Sequence, residues 1–404
     1  MREKRVKEIK NKVPAIIYWG VWIFLLCYFM QFLDFPNVLA LLLGGVICLI
    51  LVLQQKRIRI DVGICLLTLT LVSYYVIING TSGLFYSILY IPIVIYEIGN
   101  YSIGAIKNEK EKSDKVLLLL LALIIGYGIY GILNSYMWYA GYAVPGTRRW
   151  QDFWSGEIVP GTQHTAYFLP MMACFLPALI YAKKRKWISA VIITMTAFFG
   201  YTSIATRSRM SVLIFAIVVT VQAMLFVLFE REKVGKQLKN KWLWIAGVTL
   251  ILVFTIVSFL FKDSELINVF IANMGKDGGI LKNVRFEAQR LAIQQLFKYP
   301  MGGYMMDLGK LSQAHNVWLD MANAAGVIPF LAFVIYTIYT IYEVVCVLRI
   351  KWITVEAKLI IMGIYIVFFL YFLIEPALEA SIHLVTPWFF LNGLTHGVTT
   401  KENQ

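Results

Sequence analysis

Residues 116–133 read VLLLLLALIIGYGIYGIL, and none of these positions carries a charged side chain. A helix needs roughly 20 predominantly apolar residues to cross the hydrocarbon core of a bilayer. The stretch contains no proline, and Lys115 directly precedes it. It therefore predicts a helix over residues 115–137 that spans a membrane.

Comparable apolar stretches recur along the whole chain, and the same length rule predicts about twelve spanning helices. They cover residues 14–33, 36–53, 61–79, 83–105, 115–137, 163–182, 187–206, 210–229, 242–261, 326–347, 357–375 and 380–399. The pattern is typical of an all-α polytopic membrane protein.

The composition agrees with this fold class. Of the 404 residues, 59% are hydrophobic and 15% are charged, whereas soluble domains have about 45–50% apolar and about 25% charged residues. A water-soluble enzyme, a disordered protein and a disulfide-stapled secreted domain are excluded. The five cysteines lie in apolar runs without metal-ligand spacing, which predicts small buried side chains and neither disulfides nor a zinc site. They are Cys27, Cys48, Cys65, Cys174 and Cys346.

The lysines and arginines predict the orientation of the helices, because they accumulate in cytoplasmic loops. With a cytoplasmic amino terminus, 26 of the 37 basic residues fall in cytoplasmic segments. Both termini are then cytoplasmic, and the net charge of +14 needs no nucleic-acid partner to explain it. Residues 1–12 form a basic leader without a cleavage site after the first apolar run, so we expect the first helix to be retained.

Two predicted outer segments, residues 138–162 and 262–313, are too long to be simple turns. All the basic residues on the outer side lie in these segments or at Arg207 and Arg209. Basic residues on the outer side depart from the rule that lysine and arginine accumulate in cytoplasmic loops. Their presence there therefore predicts an anionic ligand on the outer face. The chain therefore divides into helices one to five (1–137), helices six to nine (138–261), a large outer loop (262–325) and helices ten to twelve (326–404).

The large outer loop has helical character of its own. Asn283 is a predicted cap for a helix over residues 284–299, which Pro300 ends. The apolar run from residue 314 to 348 is too long for one span, so we expect residues 314–325 to form a short helix at the outer boundary.

Several residues of this loop carry a resemblance to a known family. Arg285, then Pro300-Met301-Gly302-Gly303, then His315-Asn316-Val317-Trp318-Leu319 and Gly326 resemble the signature loop of the O-antigen ligase and O-antigen polymerase family. Thr206-Arg207-Ser208-Arg209 resembles the Ser-Arg element of that family. Residues 160–164 read Pro-Gly-Thr-Gln-His, where the family usually has Asn-Pro-Asn after an arginine. The resemblance covers residues 150 to 325, and the first five helices match in hydropathy alone.

The resemblance implies a GT-C-like fold with a large helical outer loop between helices nine and ten. It also implies a metal-independent glycosyltransferase of the bacterial plasma membrane, without a cofactor, whose active site is extracytoplasmic. The implied donor is a polyprenyl-pyrophosphate oligosaccharide in the lipid bilayer, and flippase and chain-length regulator proteins are candidate partners. The expected reaction polymerises repeat units into a capsule, exopolysaccharide or O-antigen.

Such a transfer needs cations for the departing pyrophosphate and a base for the acceptor hydroxyl. Guanidinium groups are permanently charged and bind phosphate in a bidentate fork, and an imidazole exchanges protons near neutral pH. We therefore expect Arg209 and Arg285 to contact the pyrophosphate and His315 to act as the base. Residues expected to contact substrate are Arg148, Arg149, His164, Arg207 and Asn316.

Other interpretations remain open at this stage. The same chemistry could deliver a finished glycan to lipid A-core or another acceptor, as a ligase does. A flippase for lipid-linked oligosaccharides also has about a dozen helices, but it should carry charges along a central cavity, and Glu97 is the main midspan charge here. Asp263 and Glu265 form an acidic pair, although we expect no metal. Glu375 and Glu379 flank an outer turn and are candidate sugar-binding residues.

Overall fold

The computed structural model describes residues 2–104, 108–145, 147–182, 186–206, 208–230 and 284–400, with the side chains of residues 2–15, 204 and 209 left out. The described chain is almost wholly helical. Its helices are α1 (Arg2–Phe29), α2 (Asn37–Gln55), α3 (Val62–Asn79), α4 (Ser87–Ser102), α5 (Glu109–Tyr139), α6 (Gly161–Ala166), α7 (Leu169–Met172), α8 (Phe175–Ile180), α9 (Lys186–Ala205), α10 (Arg209–Phe229), α11 (Val284–Gln295), α12 (Val317–Ala325), α13 (Val327–Arg349), α14 (Val355–Phe372), α15 (Ala377–Ala380) and α16 (Ile382–Thr399).

Six helical segments in the described residues are long and apolar enough to cross a membrane. They are Asn37–Gln55, Val62–Phe85, Glu109–Tyr139, Met210–Phe229, Val327–Arg349 and Val355–Phe372. Several of them leave rows of large apolar side chains exposed, for example Leu42, Val46 and Leu53 on α2 and Ile338 and Tyr342 on α13. Such faces are stable where lipid covers them. The all-α membrane fold is confirmed at this level, and the ninth predicted helix, 242–261, lies outside the described residues.

The sixth predicted helix, 163–182, is wrong as a single element. The chain forms three short helices there, α6 to α8, with Pro170 at the start of α7 and Pro177 inside α8. Proline has no N–H to donate and its ring clashes with the preceding turn, so it interrupts a continuous helix. A prediction from length and hydropathy alone does not include this interruption of the helix by proline.

Polar side chains begin several of the long helices. The Asp61 carboxylate accepts a hydrogen bond from the Ile64 N–H at the start of α3, at 2.9 Å. The Thr354 hydroxyl accepts one from the Ala357 N–H at the start of α14, at 3.3 Å. Each cap satisfies an N–H group of the first turn that has no partner within the helix.

Close contact between α4 and α16 organises the interior. A methyl group at Gly393 would lie 1.8 Å from the Tyr96 carbonyl oxygen, and one at Gly397 would lie 2.4 Å from that of Asn100. The four-residue spacing places both glycines on one face of α16, which lets the two backbones approach. Large aromatic side chains fill the core around this contact. Those that are almost completely buried include Phe29, Tyr127, Phe368, Phe372, Trp388 and Phe389.

The segment 138–162 contains a β-hairpin that the sequence did not predict. Strands β1 (Arg149–Gln151) and β2 (Ile158–Pro160) pair antiparallel, with Arg149 opposite Pro160. Each strand has three residues, which is too short for alternation of polar and apolar side chains to be visible. The hairpin follows α5 and leads directly into α6.

Candidate functional site

His315 lies in the turn that leads into α12. Its backbone has a φ of 54°, in the left-handed region that few residues with a Cβ adopt. Asn316 is the N-cap of α12, and its side chain accepts a hydrogen bond from the Leu319 N–H at 3.2 Å. A backbone conformation of this kind persists where its surroundings hold it in place.

Asp320 supplies that support from the first turns of α12. Its Oδ1 accepts a hydrogen bond from the Ala314 N–H at 2.6 Å, and its Oδ2 accepts one from the Asn316 N–H at 2.9 Å. Burial and the nearby charge of Glu379 raise the pKa of Asp320 to about 7, although hydrogen bonds from backbone N–H groups act in the opposite direction. The carboxyl group thus fixes the peptide groups on both sides of His315.

The turn that follows Pro300 packs against the other end of α12. The Gly303 N–H donates to the Ala324 carbonyl at 2.9 Å, and the Tyr304 N–H donates to the Asn323 carbonyl at 2.8 Å. Carbonyls of the last helical turn have no partner within the helix, so this turn satisfies them. The outer loop is thereby tied to the helix that positions His315.

Helix α11 faces the carboxyl-terminal end of α14. Arg285 and Gln289 are four residues apart and therefore share one face of α11. Gln289 Nε2 donates to the carbonyls of Leu373, at 2.9 Å, and of His315, at 3.2 Å. Arg285 Nη1 donates to the Ile374 carbonyl at 2.9 Å. A cation is favoured at this position because the free carbonyls of a helix end carry partial negative charge.

Glu375, just beyond α14, joins Arg285 and His315. Its Oε1 lies 2.8 Å from Arg285 Nη1, and its Oε2 lies 3.7 Å from His315 Nδ1. The Glu375 residue is only 6% exposed, whereas the side chains of Arg285 and His315 are 29% and 21% exposed. One buried carboxylate therefore bonds to a guanidinium and lies beside an imidazole, and a ligand can still reach both of these side chains.

This arrangement has a definite chemical capacity. The imidazole Nδ1 faces the carboxylate, so Nε2 is the ring nitrogen that can take a proton from another group. The carboxylate stabilises the imidazolium that such a transfer creates. The guanidinium keeps its positive charge throughout and can stabilise an anion beside the same site. Proton removal and charge stabilisation are thus available within one cluster.

Three of the predicted site residues, Arg285, His315 and Asn316, come together here. Asn316 has a second structural contact, since its Nδ2 donates to the Leu373 carbonyl at 3.4 Å. Both of the described contacts of its side chain organise the turn around His315. Its role in substrate binding stays a prediction.

The predicted residues of the segment 138–162 lie at the hairpin. His164 is buried and stacks on Trp150, with ring centroids 4.5 Å apart and planes 18° apart. Arg148 and Arg149 are exposed on the hairpin, and in the described part of the chain no hydrogen bond or ion pair joins Arg149 to His315. The substrate-binding roles of these three residues also stay predictions.

The Ser-Arg element is described only in part. Arg207 lies outside the described residues, as does the side chain of Arg209, whose backbone begins α10. Ser208 between them is described, and its hydroxyl lies 3.4 Å from that of Thr165 on α6. The start of α10 is therefore beside α6.

The acidic pair Asp263 and Glu265 lies outside the described residues. Among the residues that the structure does describe, no group of three or more His, Cys, Asp or Glu side chains is arranged to hold a metal ion.

Sequence reasoning missed the residues that organise the cluster. Glu375 was a candidate only for sugar binding, and its contact with Arg285 joins positions 90 residues apart. Asp320 and Gln289 stand among ordinary helical residues, without a motif. One available signal was the position of Asp320 in the first turns of a helix that Asn316 caps. Carboxylates at such positions often accept hydrogen bonds from N–H groups near the helix start.

No protein-family model matches this chain, and no curated protein sequence matches it either.

Proposed function

We propose that the chain is a metal-independent glycosyltransferase of a bacterial plasma membrane. It transfers an oligosaccharide from a polyprenyl-pyrophosphate donor to a growing surface polysaccharide, such as a capsule, exopolysaccharide or O-antigen. The observation that carries the proposal is the shared Glu375 carboxylate, which brings His315 and Arg285 to one place. The resemblance of the loop motifs to the O-antigen ligase and polymerase family supports it.

The location of the cluster is consistent with this donor. The charge pattern predicts that the carboxyl-terminal end of α14 faces outward, at the membrane boundary where a lipid-linked pyrophosphate would lie. The proposed topology has twelve spans, cytoplasmic termini and the large loop between the ninth and tenth helices. Chain-length regulator and flippase proteins are the expected partners of such an enzyme.

In the proposed reaction the acceptor hydroxyl oxygen attacks the anomeric carbon of the donor sugar. His315 Nε2 takes the hydroxyl proton as the new C–O bond forms and the bond from the anomeric carbon to the pyrophosphate oxygen breaks. The electron pair of that bond leaves with the polyprenyl pyrophosphate, whose growing negative charge Arg285 stabilises. We expect Arg209, at the start of α10, to assist, and Arg148, Arg149, Arg207, His164 and Asn316 to contact substrate.

The test uses the purified full-length chain in liposomes with one purified polyprenyl-pyrophosphate oligosaccharide and no added acceptor. A ladder of repeat multiples on a gel, lost in His315→Ala and in Arg285→Ala, would support the polymerase. Arg290→Ala is the matched control, because Arg290 is an exposed arginine on the same helix.

Other outcomes replace the polymerase with a different function. Transfer of a single glycan only when an acceptor lipid or protein is supplied would indicate a ligase. Movement of the donor across the bilayer without any transfer would indicate a flippase. A ladder that survives His315→Ala would remove His315 from the mechanism.

A further inference from the structure

A second feature of the same end of the bundle is a polar cavity of about 390 Å³. It lies between the first residue of α2, the last turns of α3, the loop after Gly303, and the segment from α15 into α16. Its volume is within the range of about 300–1,000 Å³ that is typical of small-molecule sites. Polar side chains that line it include Asn37, Tyr74, Asn79, Tyr304, Glu379 and His383.

Three polar atoms of this lining lack a hydrogen-bond partner, as judged over the part of the chain that is described. They are Asn37 Oδ1, Glu379 Oε1 and His383 Nδ1, and all three are buried from solvent. An unpaired buried polar atom is costly, and native proteins satisfy the great majority of them. A ligand with several hydrogen-bonding groups would satisfy these atoms once their side chains turn towards the cavity.

The charge of the described lining favours a neutral ligand over an anionic one. Glu379 is the only Asp, Glu, Lys or Arg among the lining residues. Burial raises the pKa of Glu379, although Gln313, Tyr304 and the charge of His315 lower it. Among the described lining residues, a phosphate or carboxylate would meet no lysine or arginine. Hydroxyl groups can donate to the oxygens of Asn37 and Glu379, and the tyrosines supply apolar ring faces beside them.

The cavity is connected to the cluster at His315. Gln313 Nε2 donates to Glu379 Oε2 at 2.6 Å, and Gln313 is two residues before His315. Glu379, on α15, is also four residues after Glu375, the carboxylate that faces the His315 imidazole. A ligand in the cavity would therefore lie on the His315 side of the site.

We propose that this cavity binds a neutral sugar residue of the acceptor glycan through Asn37, Glu379 and His383. The identification of the sugar as an acceptor rests on the proposed function, because His315 is the base for the acceptor hydroxyl. The binding of a neutral polyhydroxyl ligand rests on the cavity alone.

The test is direct binding to a printed array of di- and trisaccharides that are neutral, N-acetylated, uronate-containing or phosphorylated. The probe is the fluorescently labelled full-length protein in detergent, and the affinity for the best-bound glycan is then titrated. We expect binding to neutral or N-acetylated glycans. Glu379→Gln and Asn37→Ala should each weaken it at least tenfold, because each removes a hydrogen-bond acceptor from the cavity.

Glu157→Gln is the matched control for Glu379→Gln, since Glu157 is an exposed glutamate outside the cavity. Tyr304→Phe removes only a hydroxyl from an exposed residue that lines the cavity. Its affinity for the glycan therefore tests the same cavity if the other variants do not fold. A melting curve establishes folding for each variant. Unchanged affinity in the folded variants, binding restricted to anionic glycans, or no binding to any glycan would overturn the proposal.

His315→Ala separates this proposal from the proposed function, because His315 does not line the cavity. Glu379-dependent binding that persists in His315→Ala supports the cavity, whether or not the wild-type protein transfers a glycan. If the wild-type protein binds glycans in this manner and transfers none, the proposed function fails and the sugar site remains. If transfer depends on His315 but binding is insensitive to Glu379 and Asn37, the sugar site fails and the enzyme remains.

Discussion

Arg285 and Glu375 form an ion pair of 2.8 Å although they are 90 positions apart in the chain. The pair uses one carboxylate oxygen and leaves the other facing the imidazole of His315 at 3.7 Å. Glu375 is three residues beyond the end of α14, so a single helix end determines where the guanidinium and the imidazole are placed. Removal of this carboxylate should therefore affect both of them at once.

Glu375→Gln is expected to lower the turnover number for glycan transfer by about tenfold to a hundredfold. A hydrogen bond between charged groups, such as that from Arg285 to Glu375, contributes about 1.5–3 kcal/mol, and each 1.4 kcal/mol corresponds to a tenfold change in rate. The amide keeps the shape of the side chain but cannot stabilise the imidazolium. Steady-state kinetics with the polyprenyl-pyrophosphate donor would measure the effect, with the exposed Glu157→Gln as control. An unchanged turnover number would mean that Glu375 does not position the base.

Asp320→Asn is expected to flatten the pH dependence of thermal stability. Folding raises the pKa of Asp320 to about 7, so the folded protein retains this proton to a higher pH than the unfolded chain. The resulting stabilisation is complete at pH values below the usual aspartate pKa and is lost as the pH rises towards 7. Asparagine cannot ionise, so the variant lacks this contribution.

Melting curves of the purified protein between pH 4 and pH 8 would test this. The wild-type melting temperature should fall across that range, and the fall should be smaller in Asp320→Asn. Glu379 has a pKa shifted in the same direction and should leave a residual slope. Identical slopes of melting temperature against pH in both proteins would show that the pKa of Asp320 is not raised by folding.

Gly326→Ala is expected to destabilise the link between the outer loop and α12. Gly326 has a φ of 83°, and an added Cβ would lie 2.1 Å from the Pro300 carbonyl oxygen. A left-handed conformation with a Cβ costs about 1–3 kcal/mol, and the backbone clash adds to this. The melting temperature should fall and transfer activity with it. Gly45→Ala is the control, since no atom lies within 4 Å of the added methyl group; an equal effect of both changes would contradict this account.

Hydropathy predicted the helical membrane fold because apolar length is a local property of the sequence. It could not predict the interruption of the sixth helix, since Pro170 and Pro177 act through the backbone, which a hydropathy average does not represent. The helix after residue 283 ends at Gln295, four residues before the expected end, and the chain continues in turns to Pro300. Proline fixes where a helix must stop but does not prevent an earlier end.

The candidate site could be predicted only where the relevant residues form short motifs. Arg285, His315 and Asn316 stand in such motifs, and the fold brings them together. Glu375 and Asp320 act through contacts that depend on how α11, α12 and α14 meet, which no local pattern encodes. The cavity beside Glu379 likewise combines side chains from α2, α3, the loop after Gly303 and the segment from α15 into α16.

Chelation of divalent metal ions is expected to leave transfer unchanged. The permanent charge of Arg285 beside the reacting groups can stabilise a leaving pyrophosphate, which is the task that a metal ion performs in other enzymes. Transfer measured with EDTA, and then with added magnesium or manganese, would test this. A loss of activity that magnesium or manganese restores would show that a metal is required, and Asp263→Asn would then show whether the acidic pair binds it.

Arg285→Lys is expected to lower transfer by tenfold or more, although the positive charge is kept. A lysine ammonium is a point charge that cannot bind two oxygens in the planar fork of a guanidinium. In this site the guanidinium bonds through Nη1 to both the Ile374 carbonyl and Glu375. The lysine side chain is shorter, so its ammonium would have to give up one of these contacts to bind a phosphate.

Arg290→Lys on the exposed face of the same helix should leave transfer unchanged, and raised ionic strength should affect both variants equally. If Arg285→Lys retained wild-type transfer, Arg285 would act only as a charge that holds Glu375, and the stabilisation of the leaving group would have to come from Arg209 or from the arginines of the hairpin.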